Sequence, residues 1–142
     1  MEFGIERDQS FYPVNSMIAH NLGYPRIGSH RELKRACEQF WANKITRQQL
    51  QDVGRQIRRD NWLTQPQAGI RLGPCNDFSF YDQVLDMSLT VGAIPERFQP
   101  LRDQPSADWL TLYFAMARGY QQNGLDLKAM EMTKWFDTNY HY

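Results

Sequence analysis

The 142-residue sequence has no net charge, few cysteines and no long apolar run. Sixteen basic residues balance sixteen acidic residues. Proteins that bind nucleic acids generally carry a clear basic excess, so this balance argues against that class. No apolar run reaches the length of a membrane span, and the polar, acidic N-terminus lacks the apolar segment of a secretory signal. These features predict one globular domain in the cytoplasm that neither binds nucleic acid nor enters a membrane.

The only two cysteines, Cys37 and Cys75, lie far apart in the sequence. In a chain without a secretory signal, we expect them to be reduced thiols in the core rather than a disulfide. With His20, His30 and His141 they could supply metal ligands. None of these residues shows the close spacing of a metal motif such as C-x-x-C or H-x-x-x-H. We therefore expect no metal site built from this chain alone.

A loop rich in glycine and proline, residues 21–28 (NLGYPRIG), precedes a predicted helix start. Ser29 and Glu32 have the spacing of a capping box, which predicts that the helix begins at Ser29. The first turn of a helix exposes N–H groups and the positive end of the helix dipole. Three basic side chains surround this end: Arg26, Arg31 and Lys34. The pattern predicts an anion site, and the alternative is that these residues are ordinary surface cations.

Apolar periodicity predicts four helices. The first covers residues 31–43, with one apolar face formed by Leu33, Ala36, Cys37, Phe40 and Trp41. Thr46 and Gln49 repeat the capping-box spacing and predict the start of a second helix. A third helix is expected over residues 79–91, ending at Gly92. A fourth, over residues 108–118, is expected to be capped by Ser106 and to end at Gly119.

Strand signals are fewer. Residues 18–22, residues 70–74 and the last part of the chain are strand candidates, while residues 95–105 and 124–128 read as connections. Strands that alternate with helices predict a parallel α/β arrangement. Three strands are too few for a closed eight-stranded barrel, which takes about 250 residues. Residues 1–16 lack periodicity and predict a flexible leader, with Met17 as an alternative start.

Two groups of charged residues allow more than one interpretation. Arg55, Arg58 and Arg59 could form a basic patch, but on a helix such residues usually form the solvated side. Asp77, Asp82 and Asp86 could form a metal or acid cluster. Helix caps and solvated helix positions explain these carboxylates more simply.

Several ordered segments resemble the N-terminal end of the cobalamin-independent methionine synthase family. They are HNLGYPRIG (20–28), RELK (31–34), DFSFYDQVLD (77–86), GAIPERF (92–98), YFAMARG (113–119) and EMTKWFDTNYHY (131–142). The matches follow one another over nearly the whole chain from Met17 to Tyr142, which makes the resemblance far more specific than a single short motif.

The resemblance implies both a fold and an activity. Enzymes of this family transfer a methyl group from 5-methyltetrahydropteroyl-polyglutamate to homocysteine, and they consist of two (βα)8 barrels that face each other. Residues 17–142 are therefore expected to be an α/β segment, the opening βα units of an N-terminal TIM-type barrel that is incomplete in this chain.

The resemblance also implies binding residues. In the family, the Arg-Glu-Leu-Lys segment and the lysine before Trp-Phe-Asp contact the folate substrate. These residues are Arg31, Glu32, Leu33, Lys34 and Lys134 here. The polyglutamate tail is a string of carboxylates, which basic residues at a helix start suit well. The loop from Tyr24 to His30 follows a strand, so it is expected on the catalytic face of the barrel.

The family's zinc ion, which binds homocysteine as a thiolate, has its ligands in the C-terminal barrel. We therefore expect no catalytic residue and no cofactor in this chain, which would be inactive without the remaining barrels. Two alternatives stay open. The chain could be a stand-alone, non-catalytic module that binds anions or a partner protein, or oligomerisation could complete the barrel by pairing exposed sheet edges.

Overall fold

A computed structural model describes residues 17–105, 108–135 and 138–141. They form helices α1 (Glu32–Trp41), α2 (Arg47–Gln67), α3 (Gln83–Thr90), α4 (Gln99–Arg102) and α5 (Trp109–Arg118). Strands β1 (Tyr120–Gln122), β2 (Leu125–Leu127), β3 (Met132–Trp135) and β4 (Thr138–His141) follow α5. The leader predicted for residues 1–16 and the predicted cap Ser106 lie outside the described residues.

The first two helices confirm the periodicity of the sequence. Helix α1 buries the first three residues of the predicted apolar face, Leu33, Ala36 and Cys37, while Phe40 and Trp41 are partly buried. Helix α2 begins with the predicted capping box. The Gln49 N–H donates to Thr46 Oγ1 at 3.2 Å, and the Thr46 N–H donates to Gln49 Oε1 at 2.7 Å. Both bonds satisfy N–H groups that have no partner within the helix, so the local sequence fixes where α2 starts.

Helix α5 forms the centre of the core. The Asp108 carboxylate caps it by accepting the N–H groups of Leu110 and Thr111, at 2.8 and 2.9 Å. All residues from Leu112 to Ala117 are buried, so this helix is surrounded rather than packed on one face. Trp109, the first residue of the helix, is 49% exposed.

The elements between residues 79 and 105 also differ from expectation. Helix α3 starts only at Gln83, because the Asp82 carboxylate caps it by accepting the Leu85 N–H at 2.7 Å. Its predicted stop is confirmed at Gly92, which has a φ of 73°. The predicted connection 95–105 contains a 3-10 turn (Glu96–Phe98) followed by α4. The burial of Phe98 and Leu101 favours these two helical turns, because both side chains are completely inaccessible to solvent.

The strand predictions are the least accurate. Residues 18–22 and 70–74 do not form strands and meet only at one parallel bridge, between His20 and Leu72. The predicted loop 124–128 contains β2, which pairs antiparallel with β1. The C-terminal strand is two strands, β3 and β4, also antiparallel. The described residues therefore mix helices and strands, and their sheets are two hairpins.

Candidate functional site

The loop before α1 makes a tight entry into the helix. Gly28 has a φ of 85° and Arg31, the N-cap residue, has a left-handed φ of 63°. The Arg31 N–H donates to Gly28 O at 3.2 Å, and the Leu33 N–H donates to Ile27 O at 3.1 Å. The predicted Ser29 cap is wrong, because this turn delays the helix to Glu32 and leaves the N-cap without a side-chain hydrogen bond.

A carboxylate of the chain itself occupies the start of α1. Glu32 Oε2 accepts the His30 N–H at 3.0 Å. The hydrogen bond from its own N–H, followed by that from His30, holds the pKa of the Glu32 carboxyl below its usual value. The negative charge is thus favoured at the positive end of the helix. An external anion would therefore be held at this place chiefly by side-chain cations and not by the helix end.

The predicted site residues differ in accessibility. Arg31 and Lys134 are exposed, and Glu32 is partly buried. The Leu33 side chain is completely buried, so only its backbone can face a ligand. The Lys34 side chain is 48% exposed, and its Nζ lies 3.5 Å from Glu38 Oε1. Among these residues, Arg31, Lys34 and Lys134 therefore present cationic side chains to solvent.

A cleft connects α1 with β3. It has a volume of about 430 Å³, and its lining includes Lys34 from α1 and Met132 from β3. Lys134 lies two residues beyond Met132 in the same strand, and alternate residues of a strand share a face. By this alternation Lys134 shares the face of β3 that carries Met132, but Lys134 itself is not one of the residues that line the cleft, whereas Lys34 is.

Arg26 lies at the wall of the same cleft. Its guanidinium donates to Ser79 O at 3.3 Å and to Tyr81 O through a shorter bond. Tyr81 and Asp82 also line the cleft. The sequence placed Arg26 near the anion site but did not reveal these bonds. Its position inside the conspicuous segment 20–28 was the available signal.

The cysteines are poor candidates for metal binding or nucleophilic chemistry. Burial raises the pKa of the Cys37 thiol to about 11. Its Sγ donates to Phe80 O at 3.7 Å. A buried, protonated thiol is inert, which agrees with the predicted core role. Cys75, predicted to be a core thiol, is exposed instead. Within residues 17–105, 108–135 and 138–141, no group of three or more His, Cys, Asp or Glu side chains could hold a metal ion.

A second cleft, of about 570 Å³, lies between the loop and α2. Its lining includes the carboxylates of Glu32 and Asp60, and no lysine or arginine among the described residues contributes to it. Its charge therefore disfavours an anionic ligand. Of these two clefts, the one next to Lys34 is better suited to a carboxylate, because Arg26 and Lys34 line it.

The three aspartates of residues 77–86 have separate structural roles. Asp77 accepts the Tyr24 N–H at 2.9 Å, and Asp82 caps α3. Asp86 is not a solvated helix position as expected. Burial raises the pKa of its carboxyl to about 6, although a hydrogen bond from the Tyr113 hydroxyl favours the charged form. These contacts tie the segment to its surroundings and do not form a metal cluster.

The predicted basic group on α2 is mostly a solvated surface. Arg55 and Arg59 are exposed, and Arg55 pairs with Asp52 on the same helix. Arg58 lies over the Phe78 ring, with its guanidinium carbon 5.3 Å from the ring centre.

Among the described residues, no helix is both long enough and apolar enough to cross a membrane.

Comparison with known proteins gives a consistent result. Residues 18–142 match the model of the cobalamin-independent synthase N-terminal domain. Three similar relatives are named 5-methyltetrahydropteroyltriglutamate–homocysteine methyltransferase. The protein of Cytophaga hutchinsonii is 68% identical over 126 residues, that of Flavobacterium johnsoniae 63% over 126, and that of Salinibacter ruber 54% over 129.

These alignments cover 87–89% of this chain but only 16% of each relative. The chain therefore spans about one sixth of the length of the curated relatives that it matches. The family model, by contrast, covers nearly all of the described residues, including the loop before α1, the cleft and both hairpins. The chain belongs to the cobalamin-independent methionine synthase family, and its residues 18–142 match the N-terminal domain of that family.

Proposed function

We propose that this chain contributes part of the folate-tail site of a cobalamin-independent methionine synthase. In this proposal, residues 17–142 are the opening βα units of the N-terminal (βα)8 barrel, and they also support the interface with the remaining barrels. The observation that carries the proposal is the shared cleft, which Lys34 lines from α1 and which β3, the strand of Lys134, borders through Met132.

The chemistry of the ligand fits the accessible cations. The tail of 5-methyltetrahydropteroyl-polyglutamate carries one free carboxylate for each added glutamate, and Arg31, Lys34 and Lys134 would bind these groups through charge-assisted hydrogen bonds. Glu32 keeps the helix start in place through the His30 N–H. Leu33 takes part through its backbone, because its side chain is buried.

The methyl transfer itself needs groups that lie elsewhere in the enzyme. Zinc, when bound, lowers the pKa of the homocysteine thiol so that the thiolate can attack the methyl group. The described residues of this chain do not fit that ion, because Cys37 is buried and protonated and no group of three or more His, Cys, Asp or Glu side chains among them could hold a metal. We therefore assign zinc and homocysteine binding to the remaining barrels, and we expect no activity from this chain alone.

A titration of the isotope-labelled chain by NMR tests the proposal. At low salt, 5-methyltetrahydropteroyl-triglutamate should shift signals of Arg31, Lys34 and Lys134, and the monoglutamate form should bind more weakly. Arg31→Gln, Lys34→Gln and Lys134→Gln should each raise the Kd for triglutamate about three- to tenfold. Arg59→Gln is the matched control, since Arg59 is exposed on α2 and lines neither cleft.

A folded chain that ignores triglutamate would contradict the proposal and favour a stand-alone module with another ligand. Collapsed NMR signals would move the test to a chimera, in which this chain replaces the matching 126-residue segment of the Cytophaga hutchinsonii protein. There the three substitutions should raise the KM for triglutamate more than they lower kcat. An equal effect of Arg59→Gln would again contradict the assignment.

A further inference from the structure

Arg26 joins two walls of the cleft that no sequence motif connects. Its backbone belongs to the loop before α1, and its guanidinium donates to the carbonyl groups of Ser79 and Tyr81, more than fifty residues away. Tyr81 and Asp82 line the cleft on that side, and Lys34 lines it from α1. The side chain of Arg26 therefore fixes the spacing between the loop and the wall next to Lys34.

The positive charge of Arg26 matters as much as the two hydrogen bonds that its side chain donates. Carbonyl oxygens and the Asp82 carboxylate give this wall a negative character, which would repel a carboxylate held by Lys34. The guanidinium neutralises the two carbonyl dipoles through charge-assisted bonds. Its positive charge also acts on neighbouring groups, since it lowers the pKa of both Cys37 and Asp86 against the stronger effect of burial.

We propose that Arg26 is a positioning residue for the anion cleft, which holds the 79–82 wall in place and cancels its negative potential so that a glutamate carboxylate can reach Lys34. This inference rests on the function proposed above. In this proposal the added carboxylates of a longer tail enter the cleft and the monoglutamate does not, so Arg26 contributes to selection for tail length.

The test compares tail-length preference in three variants of the full chain. Arg26→Gln should raise the Kd for 5-methyltetrahydropteroyl-triglutamate about tenfold and leave that for the monoglutamate within about twofold. Arg26→Lys keeps the charge but loses the two-carbonyl fork, and it should recover part of the preference. Arg47→Gln is the control. The Arg47 guanidinium also pairs with a residue far away in the sequence, with its Nη1 2.6 Å from Asp108 Oδ2, but Arg47 does not line the cleft.

A purely structural role gives a different pattern. In that case Arg26→Gln and Arg47→Gln would both lower the unfolding midpoint and weaken both folate forms equally, which would overturn the inference. If Arg26→Gln does not fold, Arg26→Lys decides the question. A folded Arg26→Lys variant with the same tail-length preference as the unsubstituted chain would also contradict the inference.

A measurement on the unsubstituted chain completes the test. Saturation with triglutamate should shift the Arg26 side-chain signals and the Tyr81 and Asp82 amide signals, and saturation with monoglutamate should not. Unmoved signals at full occupancy would contradict the role of Arg26. If the unsubstituted chain binds neither form, the proposed function itself fails, and the inference falls with it.

Discussion

Arg26 and Tyr113 hold opposite edges of the same backbone segment, residues 79–82. The Arg26 guanidinium donates to carbonyl groups of this segment, at Ser79 and Tyr81. The buried Tyr113 hydroxyl accepts the N–H groups of Tyr81 and Asp82, at 2.7 and 3.2 Å. The backbone groups of a segment that belongs to no helix or sheet are thereby satisfied by side chains on both edges. One of these side chains comes from the candidate site and the other from the core.

The phenol of Tyr113 should therefore be important for stability. Tyr113→Phe removes the acceptor of two inner N–H groups, and we expect the free energy of unfolding to fall by about 2 kcal/mol. Urea denaturation followed by tryptophan fluorescence measures the loss. Tyr120→Phe is the control, because the Tyr120 hydroxyl accepts an exposed bond from Asn123, and its loss should cost less than about 0.5 kcal/mol. Similar losses in the two variants would refute this role.

Asp86 should make stability depend on pH. Burial raises the pKa of its carboxyl to about 6, from an ordinary value of 3.8. Between these two values the folded state binds more protons than the unfolded state, so the free energy of unfolding should fall as the pH rises from about 4 to 6. Asp86→Asn should flatten this slope and add about 1 kcal/mol at pH 7, a value reduced for solvent screening. Urea midpoints at four pH values test this, and an unchanged slope in the variant would rule it out.

Gly28 should tolerate a side chain poorly. A Cβ at this position would lie 2.1 Å from Glu32 Oε2, and the φ of 85° strains any other residue. We expect Gly28→Ala to displace the carboxylate from the His30 N–H and to cost about 2–3 kcal/mol. Gly92→Ala is the matched control, because Gly92 has a φ of 73° and a Cβ there would meet no heavy atom within 4 Å. The difference in unfolding midpoint isolates the effect at Glu32, and equal costs would show that only the backbone matters.

Glu38 should compete with a bound carboxylate for Lys34. Glu38→Gln removes the ion-pair partner of Lys34 and a negative charge beside the cleft. On the proposed function, the affinity for 5-methyltetrahydropteroyl-triglutamate should rise about two- to fivefold at low salt and less at high salt. Calorimetric titration at two salt concentrations measures this. Asp52→Asn, which breaks an exposed pair on α2, should change nothing, and an equal gain there would discount the effect of Glu38.

The sequence predicted those parts of the fold that depend on neighbouring residues. The start of α2 followed from Thr46 and Gln49, because a capping box acts within one turn. The same reasoning failed at Ser29. There the left-handed conformation of Arg31 and the bond from the Leu33 N–H to Ile27 O moved the helix start. Such a turn is set by the packing of the whole loop, which a four-residue pattern does not contain.

The hairpin of β1 and β2 carries a local signal that the loop prediction for residues 124–128 overlooks. Asn123 and Gly124 both have positive φ, at 54° and 76°, and an Asn-Gly pair is a strong signal for a two-residue hairpin turn. The opposite error arises at residues 18–22 and 70–74, where parallel pairing requires segments far apart in the sequence and the structure forms only one bridge.

The contrast between the two cysteines makes the cleft wall observable by simple chemistry. A thiol reagent should modify exposed Cys75 at once, while Cys37 must wait until α1 moves away from Phe80 and its thiol can ionise. The rate of the slow phase of labelling would thus report the opening of this wall without an engineered label. A slower phase in the presence of a polyglutamylated folate would show that the ligand occupies the cleft, and the decrease in rate would measure that occupancy.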